Sequence, residues 1–249
     1  MSLEKDPVNP AESEGRQAAR QVLAGRPQGA ARHWLAWLTV VLVALFVIDA
    51  IAITAYGYLP FDRPVELFVQ QFPWGPVAYV FRGLNWLGGA KQLVFGLVMC
   101  GVVALWDRRG GWLMLVGSLS SLWDNLLKAS IGRHRPTPDL VNVLSPETGY
   151  SFPSGHAVFF TWLAVMLAAS IAPRISPRLR PPLWWAAGLV ALFACLARVW
   201  AGVHWPSDVV GGFLLGLAWS SFVLWLPERW LPSPSWAWIG RRPRTKLAG

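Results

Sequence analysis

Charge is what this chain of 249 residues has least of: Asp, Glu, Lys and Arg make up 14% of it, against 54% hydrophobic residues. Globular domains usually carry about one quarter charged residues, so a water-soluble globule is not expected. Disorder is excluded by the same balance, because a disordered chain has few apolar residues and many charges. Cysteine is scarce as well. Cys100 and Cys195 both lie inside apolar runs, where they read as small buried hydrophobes, and a disulfide scaffold is ruled out. Lysine is nearly missing, with 4 Lys against 18 Arg; together with abundant Ala, Gly and Pro this suits a high-GC bacterial genome. The net charge of +9 would suggest nucleic acid in a soluble protein. Here the charge sits between apolar runs and no basic patch is interleaved with solvent-facing aromatics, so the expected partner is an anionic lipid leaflet and no nucleic acid.

What the chain has instead is long apolar runs and 17 Trp. Six segments, 34–56, about 90–106, 112–131, 155–172, 183–199 and 208–226, each come near the length that carries a helix across ~30 Å of hydrocarbon. The expected fold is all-α, a polytopic membrane protein with six transmembrane helices. Between the first two spans, Arg63 to Phe72 and Pro76 to Leu87 alternate apolar and polar residues between Pro and Gly, which predicts helices lying in the outer interface. Residues 1–33 read as a disordered cytoplasmic arm, 34–226 as the membrane domain and 227–249 as a basic cytoplasmic tail. Gly212 and Gly216 form a GxxxG step, for close packing within the monomer or, alternatively, for dimerisation.

Orientation follows from arginine. The turns with Arg108 and Arg109, and with Arg174, Arg178 and Arg180, together with the two basic termini, hold 15 of the 22 Lys and Arg. The positive-inside rule therefore predicts cytoplasmic termini and places the loops 57–89, 132–154 and 200–207 outside. Trp residues cluster near the proposed boundaries, as interfacial indoles do.

Three clusters share that outer side. Lys128, Arg135 and Pro136 close the third span; Pro153, Ser154, Gly155 and His156 open the fourth; Arg198, His204 and Asp208 bracket the last outer turn. Snorkelling would explain any one cation, Arg133 included. Several fixed cations converging with two His and a carboxylate instead describe a site for a phosphate. Ser154 can cap the helix starting at Gly155, whose free N–H groups and dipole suit an anion. His204 and Asp208 are four apart, so the carboxylate can accept the Nδ1–H hydrogen bond and leave Nε2 as nucleophile. Asp124, one helical turn before Lys128, can position that ammonium from behind. Asp49 has no partner nameable from sequence, and nothing looks like a metal cage, so no metal and no cofactor are expected.

These clusters resemble the motifs of the type 2 phosphatidic acid phosphatases, related in their site to vanadium haloperoxidases. Lys128 with Arg135 and Pro136 matches the first motif, Pro153 to His156 the second, and Arg198, His204 and Asp208 the third; Ala197 stands where the family has Ser. The motifs cover residues 128–208, and the six-span layout extends the likeness to about 34–226. The resemblance implies that His204 attacks phosphorus to give a phosphohistidine, that Asp208 orients it, and that His156 protonates the leaving group. It further implies that Lys128, Arg135, Arg198, Ser154 and the Gly155 amide hold the phosphate oxygens, and that the haloperoxidases, which are soluble, are not the match.

The function expected is a lipid phosphatase in the bacterial inner membrane, working at its outer face, with undecaprenyl pyrophosphate as the favoured substrate. A phosphatidylglycerophosphate or phosphatidate phosphatase is the alternative. Two further readings are a phosphatase of soluble esters, as in glucose-6-phosphatase relatives, and a non-catalytic lipid-binding or scrambling protein. A long lipid tail would stay in the bilayer while its headgroup slides in past residues 63–87, with Phe68, Phe72 and Trp74 contacting the tail.

Overall fold

The structure, a computed structural model, describes residues 33–227 and Trp230. The expected cytoplasmic arm and nearly all of the basic tail lie outside the described residues. Among the latter the fold is all helical: α1 (His33–Tyr56), α2 (Asp62–Gln71), α3 (Val77–Trp86), α4 (Ala90–Trp106), α5 (Arg108–Ser118), α6 (Ser120–Ile131), α7 (Gly155–Ile171), α8 (Arg180–Trp200) and α9 (Pro206–Trp225). Two short 3₁₀ turns, Ala172–Arg174 and Pro177–Leu179, join α7 to α8.

α7 is the axis of the molecule. It is apolar around its whole circumference, with Val158, Phe159, Trp162, Leu163 and Met166 all buried, as a helix wrapped on every side must be. α5, α6, α8 and α9 surround it, and α1 leans on α9. α1 is equally apolar yet buries only Leu35, Leu42, Phe46 and Ile53. Much of its remaining surface is exposed, Trp37, Val40, Ile48 and Ile51 among it, which in an apolar helix of 24 residues fits a lipid-facing span. Gly212 and Gly216 both face α7: a Cβ would come within 2.5 Å of the Ser154 carbonyl oxygen at the first and 2.8 Å of Thr161 Cβ at the second. The GxxxG step therefore serves close packing inside the monomer. Both cysteines are free, Cys100 buried and Cys195 half-buried.

Among the described residues, four helices are long and apolar enough to cross a membrane: α1, α7 extended to Arg174, α8 with its leading 3₁₀ turn, and α9. A fifth is possible if α3 and α4, which meet at a bend of 91°, form one broken span. The expected continuous span 112–131 is divided at Leu119 into helices of 11 and 12 residues. Its cause is local. Gly117 and Ser118 are weak helix formers, and the Ser118 hydroxyl donates to the Leu115 carbonyl at 2.6 Å, a side-chain bond that competes with the helical ladder.

α2 and α3 occupy the two expected interfacial stretches. α2 presents Val65 and Phe68 outward, 40% and 68% exposed, but its inner stripe is Asp62, Glu66 and Val69. Two acids thus point into the protein, the reverse of an ordinary amphipathic helix. Trp74 departs from its expected tail-facing role. Its indole Nε1 donates to the Val69 carbonyl at 2.7 Å and its ring lies 4.9 Å from that of buried Phe81.

Candidate active site

Five helix ends meet at one end of the bundle: the starts of α4, α7 and α9 and the ends of α6 and α8. They enclose a cleft of about 680 Å³ whose walls include Lys128, Arg135, Gly155, His156, Arg198 and His204. Three motifs separated by up to 80 positions in the chain therefore converge on one cavity.

Main-chain bonds hold the motif segments together. The Ser151 N–H donates to the Arg133 carbonyl at 2.9 Å, the Ser154 N–H to the Asp208 carbonyl at 3.0 Å, and the Leu144 N–H to the Ala201 carbonyl at 2.9 Å. Gly202 turns the chain after α8 with φ +68°, and a Cβ there would sit 2.2 Å from the Asn142 carbonyl oxygen. Only glycine fits such a turn.

His204 stands in the turn between α8 and α9, fully enclosed at 2% exposure. Burial, and then Arg198, Arg135, Lys128 and His156, hold its pKa well below the usual value, so the ring is neutral. Arg135 Nη1 lies 3.1 Å from its Nε2. A guanidinium only donates, so Nε2 accepts from the cleft-lining Arg135 and Nδ1 carries the proton. That proton faces Asp208, but Nδ1 and Asp208 Oδ2 are 3.5 Å apart and make no hydrogen bond. The expected His–Asp pair is thus juxtaposed but not closed. The reason is competition: Asp208 Oδ2 accepts the Trp205 N–H at 2.8 Å, a capping contact at the start of α9, and Oδ1 is gripped by Arg133. Catalytic hydrogen bonds of this kind are commonly long before substrate binds.

His156, at the start of α7, hydrogen-bonds to the Leu84 backbone and leaves Nε2 without a partner at the cleft wall. Lys128 pairs with Asp124 at 2.9 Å, the support expected from their one-turn spacing. A Cβ on Gly155 would come within 2.7 Å of Asp124 Oδ2 and 3.3 Å of Lys128 Nζ. Glycine is therefore what lets the ammonium press against the helix start. Ser154 holds the cap position of α7, but its hydroxyl makes no capping bond and is buried without a partner. It is not among the residues lining the cleft. Asp49 has an equally unpartnered Oδ2, close to Gly211 of α9.

Four residues of the site are absent from the sequence motifs. Glu147 bridges Arg198 Nη2 at 2.5 Å and Arg135 Nη1 at 3.2 Å, so a carboxylate occupies the space between two arginines that would otherwise face an anion. Asn85 receives Arg198 Nη1 on its Oδ1 at 2.7 Å while its Nδ2 donates to the Ala197 carbonyl at 2.8 Å. Because the contact at position 197 is made by the backbone, the Ala there removes nothing from it. Asp62 and Arg133 lie behind Asp208. For Glu147, an acid nine residues before His156 in a polar loop was a usable signal; for Asn85 there was none.

Among the described residues no three His, Cys, Asp or Glu side chains are grouped as a metal cage. The cleft is instead ringed by cations.

Comparison with known proteins agrees with this geometry. The profile of the PAP2 superfamily matches residues 109–232. Phosphatidylglycerophosphatase B of Bacillus subtilis is 30% identical over 186 residues, which are 71% of this chain and 88% of that protein. An undecaprenyl-diphosphatase of Sulfolobus acidocaldarius is 42% identical over 84 residues, covering 32% of this chain and 35% of its own length. A decaprenylphosphoryl-5-phosphoribose phosphatase of Mycolicibacterium smegmatis is 32% identical over 135 residues, 53% of this chain and 68% of that one. The crystal structure of a transmembrane PAP2-type phosphatidylglycerolphosphate phosphatase from Bacillus subtilis superposes with a TM-score of 0.64 at 27% identity, over 75% of this chain and 94% of that structure. Motif, cavity, likeness along the chain and likeness of fold all point the same way, and the chain belongs to the PAP2 superfamily as one of its phosphatases.

Proposed function

We propose that this membrane phosphatase hydrolyses a lipid phosphate or pyrophosphate through a phosphohistidine on His204, without a metal ion, with undecaprenyl pyrophosphate as its preferred substrate. One observation carries the reading: Arg135 and Arg198 converge beside the lone pair of a neutral, buried His204 Nε2. A phosphate seated between those arginines would displace Glu147 and lie in reach of the nucleophile.

The chemistry balances with this chain's own groups. His204 Nε2 attacks phosphorus; the N–P bond forms as the P–O bond to the leaving group breaks, and His156, which takes up a proton on Nε2 when the phosphate's negative charge offsets the surrounding cations, delivers that proton to the departing oxygen. Water then attacks phosphorus while His156 takes its proton, and the N–P electron pair returns to Nε2. Lys128, Arg135, Arg198 and the Gly155 amide neutralise the charge on the three remaining oxygens, a role that other phosphoryl-transfer enzymes give to magnesium. Ser154 would join them only after its hydroxyl turns toward the cleft.

Six crossings require, beyond the broken α3–α4 span, that the divided α5–α6 segment also cross. The site lies at the end of the bundle remote from the turns at Arg108 and Arg174, and Arg174 pairs across that opposite end with Asp107. This supports an outer-face site with cytoplasmic termini. Phosphatidylglycerophosphate is the second reading, supported by the length of chain shared with the Bacillus phosphatase.

The deciding experiment measures phosphate release by the purified protein from undecaprenyl pyrophosphate, phosphatidylglycerophosphate, phosphatidate and glucose 6-phosphate, with and without EDTA. The polyprenyl lipid should be cleaved fastest and EDTA should have no effect. Preference for another substrate would move the assignment, and loss of activity in EDTA with rescue by magnesium would overturn the metal-free mechanism.

A further inference from the structure

Asp208 is held from behind by a residue that the phosphate chemistry above does not use. Arg133, 5% exposed, commits every guanidinium nitrogen. Nη1 donates to Asp208 Oδ1 at 2.5 Å and to Ser207 Oγ at 2.8 Å; Nη2 donates to Asp62 Oδ2 at 2.6 Å; Nε donates to the Gly57 carbonyl at 2.9 Å. An arginine that snorkels to headgroups would be exposed and variable in its partners. This one is a fixed buried bridge.

Asp62, on α2, completes the bridge. It is fully buried, and its Oδ1 accepts the backbone N–H of Ser207 at 2.9 Å and the Ser207 hydroxyl at 2.7 Å. Asp62 thereby caps the start of α9 from 145 residues away, at the turn of helix that carries Asp208. From His204 the charges alternate along the chain of contacts: Asp208 negative, Arg133 positive, Asp62 negative.

We propose that Asp62 and Arg133 are positioning residues of the phosphatase reaction, an ion-paired chain from α2 that fixes the Asp208 carboxylate and leaves it one net negative charge with which to support the phosphohistidine. When Nε2 bonds to phosphorus while Nδ1 keeps its proton, the imidazole becomes cationic. Arg133 alone would cancel Asp208. Asp62 takes up half of that guanidinium, so the three groups together keep a formal charge of −1 facing the new cation. Asp49 from α1 and Glu66 from α2 face the same chain.

The inference rests on the phosphohistidine reading, and the test separates the two. Wild type, Asp62→Asn, Arg133→Lys and Arg133→Met are assayed with phosphatidylglycerophosphate in detergent micelles for kcat and KM, and with its non-hydrolysable phosphonate analogue for Ki. Asn keeps the shape and an acceptor for Ser207 but loses the charge. For Asp62→Asn kcat should fall on the order of 30-fold, in the range that outer partners of catalytic groups show, while Ki stays within about twofold because the cationic cradle is untouched. A kcat within about threefold of wild type, or a Ki that worsens in step with kcat, overturns the proposal. If Asp62→Asn does not elute as a folded protein, Arg133→Lys decides: it should retain roughly tenfold more turnover than Arg133→Met at equal Ki, and equality of the two overturns the proposal. A wild type that cleaves none of the lipid phosphates fails at a different readout, sinking the functional reading and this one with it.

Discussion

At the scale of single residues, the site rests on a neutral histidine surrounded by cations. His204→Ala removes the nucleophile and should cost on the order of 10³-fold or more in kcat, whereas His156→Ala should cost roughly 10²- to 10⁴-fold, concentrated in the proton-transfer steps. The two losses differ in kind. With a leaving group that needs no protonation, His156→Ala should accumulate a phosphoenzyme detectable by acid-labile ³²P, and His204→Ala should show none; label on the His204→Ala protein would contradict the covalent mechanism. Glu147 gives the opposite sign. Its carboxylate competes with phosphate for Arg135 and Arg198, so Glu147→Gln should lower the Ki of inorganic phosphate about fivefold, tempered by solvent screening at an exposed group. A raised Ki would mean that Glu147 organises the arginines instead of occupying their seat.

The proposed catalytic residues were legible in the sequence because each motif is a short local word: Pro153 to His156, or His204 and Asp208 four apart. Their partners were not. Glu147 meets Arg198 across 51 residues, Asp62 meets Arg133 across 71, and Asn85 meets Arg198 across 113. Contacts of that range are made by the fold, and no local spacing encodes them. Arg133 was visible only as one more cation, since its burial depends on α2 closing over it.

At the scale of elements, α2 is the helix whose sequence is most at odds with its surroundings. Glu66 has both carboxylate oxygens buried and unpartnered. Burial, and then the charges of Asp208 and Asp62, raise its pKa from the usual 4.5 to about 9 against the opposing pull of Arg133. Below about 4.5 folded and unfolded chains both hold this proton. Between 4.5 and about 9 the unfolded chain loses it and the folded one does not, so stability falls as pH rises through that window. Glu66→Gln cannot titrate, and its gain in thermal midpoint over wild type, measured in detergent, should grow from pH 5 to pH 9. A gain independent of pH would show that Glu66 is ionised throughout. On the outer side of the same helix, Phe68 and Phe72 are exposed to a lipid tail, whereas Trp74 is half-buried between Phe72 and Phe81. Replacing both phenylalanines with Ala should therefore slow hydrolysis of a long-chain lipid phosphate more than that of a short water-soluble one, and equal losses would refute sideways access past α2.

The element boundaries that hydropathy located well are those of uninterrupted helices, α1, α7 and α9. The one it missed is the break at Leu119, because a window of apolar residues looks the same whether the helix runs straight or turns; the break between α3 and α4 falls where the polar alternation up to Leu87 gives way to the apolar run from about 90. Near Leu119 the local cue was small, a Gly–Ser pair whose effect depends on how Ser118 bonds.

At the scale of the whole molecule, one end of the bundle holds the chemistry and the other the arginine-rich turns at 108–109 and 174–180. With Cys100 and Cys195 replaced, Pro138→Cys, which is exposed in the loop beside the cleft, should react with a membrane-impermeant maleimide added to the outside of intact cells. Labelling only after permeabilisation would invert the proposed orientation. Val203 sits at the same end, but at 1% exposure it cannot serve as a reporter.

The main-chain stitching between the motif segments bears on how such a protein can diverge. Ser151 and Ser154 donate N–H groups to the carbonyls of Arg133 and Asp208, and a backbone donor is the same whichever side chain it carries. Lipid-facing and interfacial positions can therefore drift, or be shuffled between relatives, while the register of the site survives. The number of residues between those two anchors has no such freedom. A substitution changes what hangs from the frame, but a single-residue insertion between 151 and 154 would slide one anchor past its acceptor and pull His156 away from His204, so homologues of changed substrate should differ here in letters and never in count.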